Sequence, residues 1–160
     1  MDEKTISALD GIFDAHDAKG RAASDAEAAR ISREEAFAVE FQRIAADTIL
    51  PAMEKVAEYV RGRGHQAAVT LTEERPVHAN DPDSKVTITF QVRGDAQQYH
   101  ERPFFSASGS KGTGDVIFSH STMRPQRGGQ SGPVGAVKLH EVTALLVEQK
   151  VLETIRLVFN

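Results

Sequence analysis

Side chains that could bind an anion are concentrated in the second half of the chain. Between Lys85 and Lys138 there are seven Lys or Arg residues and three Asp or Glu residues, whereas positions 1–58 hold seven bases and thirteen acids. A positive surface beside glycine-rich loops can hold a phosphate or a carboxylate, although two solvated halves that neutralise each other would show the same asymmetry. The candidate ligand-binding residues are Arg93, Arg102, Lys111, Arg124, Arg127 and His120.

The glycine-rich stretch 109–114 does not meet the requirements of a nucleotide-binding loop. A Walker loop has the pattern G-x-x-x-x-G-K-[ST], and Lys111 stands at the wrong place for it. A dinucleotide-binding fingerprint that began at Gly112 would need glycine at position 117, where the chain has Ile117. We therefore predict a hairpin loop here.

The histidines and the absence of cysteine also limit the possible chemistry. The chain has six histidines and no cysteine, and no two histidines stand at the i, i+4 spacing of a helical zinc site. His120, between Ser119 and Ser121 on a predicted strand, could act as a general base beside a hydroxyl, but a hydrogen-bonded structural histidine is the more common case. We expect no metal site, no cofactor and no catalytic residue.

The first element that would position these residues is a long amphipathic helix over residues 32–64. Ser32 and Glu35 form a capping-box pattern at its start, and Gly64 allows the left-handed turn that ends it. Pro51 cannot donate a hydrogen bond to the carbonyl of Asp47, which predicts a kink near Pro51. The apolar positions of this helix are Phe37, Phe41, Ile44, Ala45, Ile49, Ala52, Met53, Val56 and Val60.

After this helix the apolar period changes from helical to alternating. The clearest strand is 85–93, in which Val86, Ile88 and Phe90 point inward and Thr89 points to solvent. Further strands are predicted over 66–74, 99–108 and 115–123, with a short fifth strand reaching Val137, and a second amphipathic helix over 140–159. The fold class is therefore α+β: an antiparallel four- to five-stranded meander covered on one face by the long N-terminal helix and the C-terminal helix.

Residues 1–31 are predicted to form an N-terminal arm, and residues 32–160 a single α+β domain. Ile6, Leu9, Ile12 and Phe13 share one face of a short helix over residues 3–16. Residues 14–30, rich in Ala and Asp, indicate a linker or a weak helix. The arm could dock on a partner or sister subunit, or lie on its own domain.

Helix length suggests a subunit interface. A straight helix over residues 32–64 is about 48 Å long, whereas each strand covers about 20–30 Å. The helix should overhang the sheet, so we expect Phe37 and Phe41 to be uncovered within one subunit. Either a sister subunit or the N-terminal arm would then cover them. The candidate interface residues are Phe37, Phe41, Leu9 and Phe13.

Two classes of function are compatible with these features. The first is a non-enzymatic, cytoplasmic protein-interaction module, whether adaptor, chaperone-like or regulatory, that forms homo-oligomers or binds another protein. The alternative is an anion- or nucleotide-binding or hydrolytic domain that uses the basic glycine-rich loops. Nucleic acid is not an expected partner. A membrane is not expected either, because no apolar run approaches the roughly 20 residues that span a bilayer, and the first residues lack the layout of a secretory signal.

Overall fold

A long helical segment precedes the sheet in this computed structural model, which describes residues 2–73, 84–95, 102–125 and 127–160. Helix α1 spans Glu3–Ile44, a π-helical turn spans Ala45–Ile49, and helix α2 spans Leu50–Gly62. The chain divides into two compact units, Met1–Ala36 and Phe37–Asn160. No helix within the described part of the chain is both long and apolar enough to cross a membrane.

The second unit contains a five-stranded sheet in which every strand pairs with its neighbour in sequence. All pairings are antiparallel, in the spatial order β1-β2-β3-β4-β5, with one bulge between β4 and β5 at Phe118/Ser119. Helix α3, Ala144–Phe159, closes the domain after a short 3-10 turn, Leu139–Glu141. The strands are β1 Gln66–Glu73, β2 Ser84–Gln91, β3 Phe104–Ser110, β4 Asp115–Ser121 and β5 Ser131–Lys138.

The core lies between one face of this sheet and the helices α2 and α3. Val86, Ile88 and Phe90 on β2 are fully buried, as their alternation predicts. Phe105 and Phe118 stack across β3 and β4 with their ring centres 5.7 Å apart. The helices contribute core residues of their own, such as Met53, Val147 and Val151. The predicted α+β architecture, with helices covering one face of an antiparallel meander, is confirmed.

The irregularity predicted near Pro51 takes the form of a π-helical turn. The N–H of Leu50 donates to the carbonyl of Ala45, an i to i−5 bond, and Pro51 falls in the first turn of α2. Proline is tolerated there because the first N–H groups of a helix have no partner within it. A π-turn adds one residue to the helix and is a recognised cause of bending.

The expectation that Phe37 and Phe41 are uncovered is wrong. The two rings stack with their centres 6.2 Å apart, Phe41 is only 2% exposed, and Phe37 packs against the core. The reason lies in β3, because a β-carbon added at Gly109 would stand 2.9 Å from Cγ of Phe41 and 3.1 Å from Cε1 of Phe37. The missing side chain at Gly109 makes the space that the rings fill.

Thr89 also differs from the prediction, since it is only 8% exposed although it lies on the face opposite the helices. Its strand neighbours are Ala68 on β1 and Phe104 on β3, and its hydroxyl donates to the carbonyl of Ala68 at 3.4 Å. A short side chain in the middle of a sheet is shielded by its cross-strand neighbours.

The bounds of both predicted helices also differ from the structure. Residues 14–30, expected to be a linker or a weak helix, lie within α1, where Arg30 pairs with Glu27 and Glu34 at helical spacing. The C-terminal helix begins at Ala144 rather than at position 140, because Thr143 caps it by accepting from the N–H of Leu146 at 3.2 Å. The start predicted for the third strand, residues 99–101, lies outside the described residues.

Candidate functional site

An apolar groove lies between α2 and α3 in the second unit. Its volume is about 530 Å³. At one end Lys55 of α2 approaches Glu148 of α3 at 3.8 Å. At the other end the ring of His65 meets the ring of Phe159 edge-on, with 4.8 Å between their centres. The apolar lining is Val56, Tyr59, Val60, Leu152, Ile155 and Phe159.

Helical spacing explains why these side chains form one surface. On each helix the lining residues recur at steps of three or four positions, so they follow one side of that helix. The groove-lining residue Tyr59 is 70% exposed and Leu152 is 46% exposed. The neighbouring side of α2, with Met53 and Ala57, is buried in the core. The groove is thus an extension of the core surface that no described residue of the unit covers.

The Arg63–His65 end of the groove is shaped by the termination of α2. Gly64 adopts a positive φ of 86°, its N–H donates to the carbonyl of Arg61 at 2.9 Å, and the N–H of His65 donates to the carbonyl of Val60 at 3.3 Å. These two bonds form a Schellman motif, which requires a left-handed residue such as glycine. The motif places His65 beside the groove, as the glycines at the predicted helix end suggested.

His65 also connects this end to the turn after β2. Its Nδ1 accepts a hydrogen bond from the backbone N–H of Arg93 at 3.0 Å. That bond implies that Nδ1 carries no proton, so any proton on the neutral ring is on Nε2. The side chains of Arg63 and Arg93 are exposed. The groove therefore ends, beside His65, in a cationic rim formed by Arg63 and Arg93.

The six predicted ligand-binding residues do not form one site. Arg93 follows β2, Arg102 precedes β3, and the antiparallel pairing brings them to one end of the sheet. Arg124 and Arg127 follow β4 and reach the same end. Lys111 lies in the β3–β4 turn at the opposite end, and His120 is buried on the helix-facing side of β4.

Arg124, after β4, links the turn after β2 to the end of α3. Its Nε and one terminal nitrogen donate to the two carboxylate oxygens of Asp95 at 2.8 and 3.0 Å, and the other terminal nitrogen donates to the carbonyl of Val158 at 3.0 Å. The guanidinium of Arg124 lowers the pKa of Asp95 below its ordinary value, mainly by hydrogen bonding. An arginine with three protein acceptors has few donors left for a ligand.

His120 is placed for packing. Its Nδ1 lies 3.2 Å from the hydroxyl of Thr154 on α3, and its side chain is buried. Burial lowers the pKa of His120 because the charged ring is poorly solvated there. A histidine that is 6% exposed and bonded to a core threonine is shielded from solvent, which favours the structural interpretation over that of a general base.

A smaller pocket of about 250 Å³ lies beside Arg124, where β4 gives way to the loop toward β5. Arg127, Gly128 and Gly129 line it together with the end of α3. Arg127 is the exposed cation of this pocket, and the carboxylate of Asp95 lies close enough to feel its charge. The negative charge of Asp95 weakens this pocket as an anion site.

The sequence places Val56 and Val60 on the apolar side of the first long helix but does not show that the surface between α2 and α3 stays open. A signal was present in α3, where Leu145, Leu152 and Leu157 are apolar but lie outside the buried stripe of Val147, Val151 and Val158. A helix that covers only a sheet needs an apolar stripe on one side. More apolar positions than one side holds indicate a second contact surface.

No group of three or more His, Cys, Asp or Glu side chains that could hold a metal ion occurs among the residues that the structure describes. Comparison of the chain with protein-family models, with curated proteins and with solved structures finds no significant match.

Proposed function

We propose that this protein is a non-enzymatic protein-interaction module that uses the α2–α3 groove to bind an apolar segment of a protein partner. The observation that carries the proposal is the exposure of Tyr59 and Leu152 on the walls of a groove lined by apolar side chains. Burying a leucine fully is worth about 1.5–3 kcal/mol. Covering the exposed half of Leu152 would therefore contribute about 1 kcal/mol.

The two ends of the groove give the partner a direction. The charges of Lys55 and Glu148 at one end are opposite in sign and 3.8 Å apart. At the other end Arg63 lines the groove, and the guanidinium of Arg93 lies beside Gly64. An acidic group on the partner is favoured beside the cationic rim by charge complementarity. A helix with an apolar side flanked by acids fits a groove of this kind.

The experiment uses anilinonaphthalene sulfonate, a dye with an apolar body and one anionic group, at submicromolar concentrations of the full chain. We expect its fluorescence to rise on binding to the wild type. Leu152→Glu should abolish the rise because it puts a charge on the groove wall. Leu145→Glu is the matched control, since Leu145 is on the same helix, is 64% exposed and does not line the groove.

No fluorescence rise with the wild type would contradict the proposal. Equal losses in Leu152→Glu and Leu145→Glu would contradict it too, because the dye would then be binding elsewhere. Far-UV circular dichroism confirms that both variants keep the fold, as expected for changes at exposed positions.

The alternative of an anion-binding or hydrolytic domain has weaker support. Arg124 is committed to Asp95 and Val158, and His120 is buried against Thr154. The pocket beside Arg127 offers an anion an exposed candidate cation next to Gly128 and Gly129. The cytoplasmic location and the choice among adaptor, chaperone-like and regulatory roles stay predictions from the sequence.

A further inference from the structure

We infer that the occupant of the α2–α3 groove is the N-terminal helical segment, residues 3–17, of a second copy of this chain. The inference rests on the proposed function and names its partner. Two apolar surfaces of the described chain call for a cover: the groove in the second unit and one side of α1 in the first. The two surfaces match in the spacing of their apolar residues, in charge and in length.

The N-terminal segment has the spacing used by helices that bind in grooves. Ile6, Leu9 and Phe13 stand at i, i+3 and i+7 of α1, the arrangement of anchor residues in helix-in-groove recognition. Phe13 is 61% exposed, and Ile6 is exposed as well. Phe13 and Leu9 are the two predicted interface residues that are not part of the core of the second unit.

The charge of the N-terminal segment is also opposite to that of the rim of the groove. Residues 2–17 contain five acids and a single lysine. At about 100° per residue, Asp10, Asp14 and Asp17 form a row directly beside the apolar row of Ile6 and Phe13. With Phe13 at the Arg63–His65 end of the groove, Asp14 and Asp17, which follow Phe13, would face the rim of Arg63 and Arg93.

The lengths of the two surfaces also agree. From Lys55 to Arg63 the groove follows eight residue steps along α2 and its C-cap, which is about 12 Å at 1.5 Å per step. From Ile6 to Phe13 the apolar row spans seven residue steps, which is about 11 Å on the same basis. The segment would therefore fill the groove from one end to the other.

Sedimentation velocity of the full chain over micromolar concentrations tests the inference. We expect the wild type to associate beyond the 17.4 kDa of one chain. Phe13→Glu and Leu152→Glu should each weaken this association by at least about tenfold, because each puts a charge into an apolar contact. Ala15→Glu, on the opposite side of the segment, and Leu145→Glu, outside the groove, should leave it unchanged.

Mixing the variants shows which surfaces meet. Phe13→Glu keeps an intact groove and Leu152→Glu keeps an intact N-terminal segment. An equimolar mixture should therefore associate although neither variant does so alone. Dye fluorescence gives an independent readout: Phe13→Glu should bind anilinonaphthalene sulfonate more strongly than the wild type at micromolar concentrations, because its groove is vacant.

A wild type that stays monomeric across the micromolar range would overturn the inference, and so would a mixture of the two variants that fails to associate. If the groove still binds the dye in those cases, the proposed function stands with a different partner. If the dye does not bind the groove at submicromolar concentrations either, the proposed function fails together with the inference.

Discussion

The contact of Phe41 with Gly109 and the groove around Leu152 are two apolar surfaces of the same helical layer that meet opposite fates. At Phe41 the sheet approaches closely because β3 carries no side chain at Gly109, and the ring is 2% exposed. At Leu152 the surface between α2 and α3 stays open as a groove. The comparison teaches that an apolar stripe becomes core only where the opposing element supplies matching space.

The largest expected effect comes from truncating the side chain of Phe41 at its contact with Gly109. Phe41→Ala should lower the free energy of unfolding by about 3–5 kcal/mol, since it leaves a cavity in the core. Tyr59→Ala, on the groove wall, should change it by at most about 0.5 kcal/mol because Tyr59 is mostly exposed. Urea titration of both variants at submicromolar protein measures the difference. Similar losses at the two positions would mean that the groove is part of the core.

An intermediate loss of stability is expected from filling the space at Gly109 that the rings of Phe41 and Phe37 occupy. Gly109→Ala should cost about 1–3 kcal/mol, because the new methyl group would collide with the rings of Phe41 and Phe37. Gly112→Ala is the control, since it lies in the β3–β4 turn with no atom within 4 Å of an added β-carbon. Thermal unfolding of the pair tests this, and a wild-type melting temperature for Gly109→Ala would show that the rings can move aside.

The smallest expected effect is a pH dependence of the free energy of unfolding that comes from His120 in the core. Burial lowers the pKa of His120 from its ordinary value of 6.5, so below that pH the unfolded chain binds a proton that the folded chain resists. Stability should therefore be complete above about pH 6.5 and decline as the pH falls toward the lowered pKa. His120→Gln should flatten this part of the stability profile relative to the wild type. A decline of equal size in the variant would assign it to other groups.

The sequence was sufficient for the architecture, because alternation in β2 and helical spacing in α3 identify a strand and a helix even before it is known which side is buried. It also located the end of α2, since Gly64 was available for the left-handed turn. It failed for Phe37 and Phe41, because their cover depends on Gly109, which is 68 positions from Phe41 in sequence and which a helix-length argument does not include.

The candidate site was predictable to a smaller extent. Four of the candidate cations do reach one end of the sheet, but net charge could not show that Asp95 already binds Arg124. The groove arises from the spacing between two helices about 90 residues apart in sequence, and such spacing leaves only an indirect trace in the apolar positions of α3.

The pairing of each strand with its neighbour in sequence leaves β1 and β5 as the two edges of the sheet. An edge strand offers unpaired backbone groups to other chains and so invites aggregation. In β5 the imino acid Pro133 has no N–H to offer, and Gly132 and Gly135 adopt φ values of 148° and 152°, outside regular strand geometry. Together with the bulge opposite Phe118/Ser119, they make β5 a poor template for an added strand and protect that edge against amyloid-like growth.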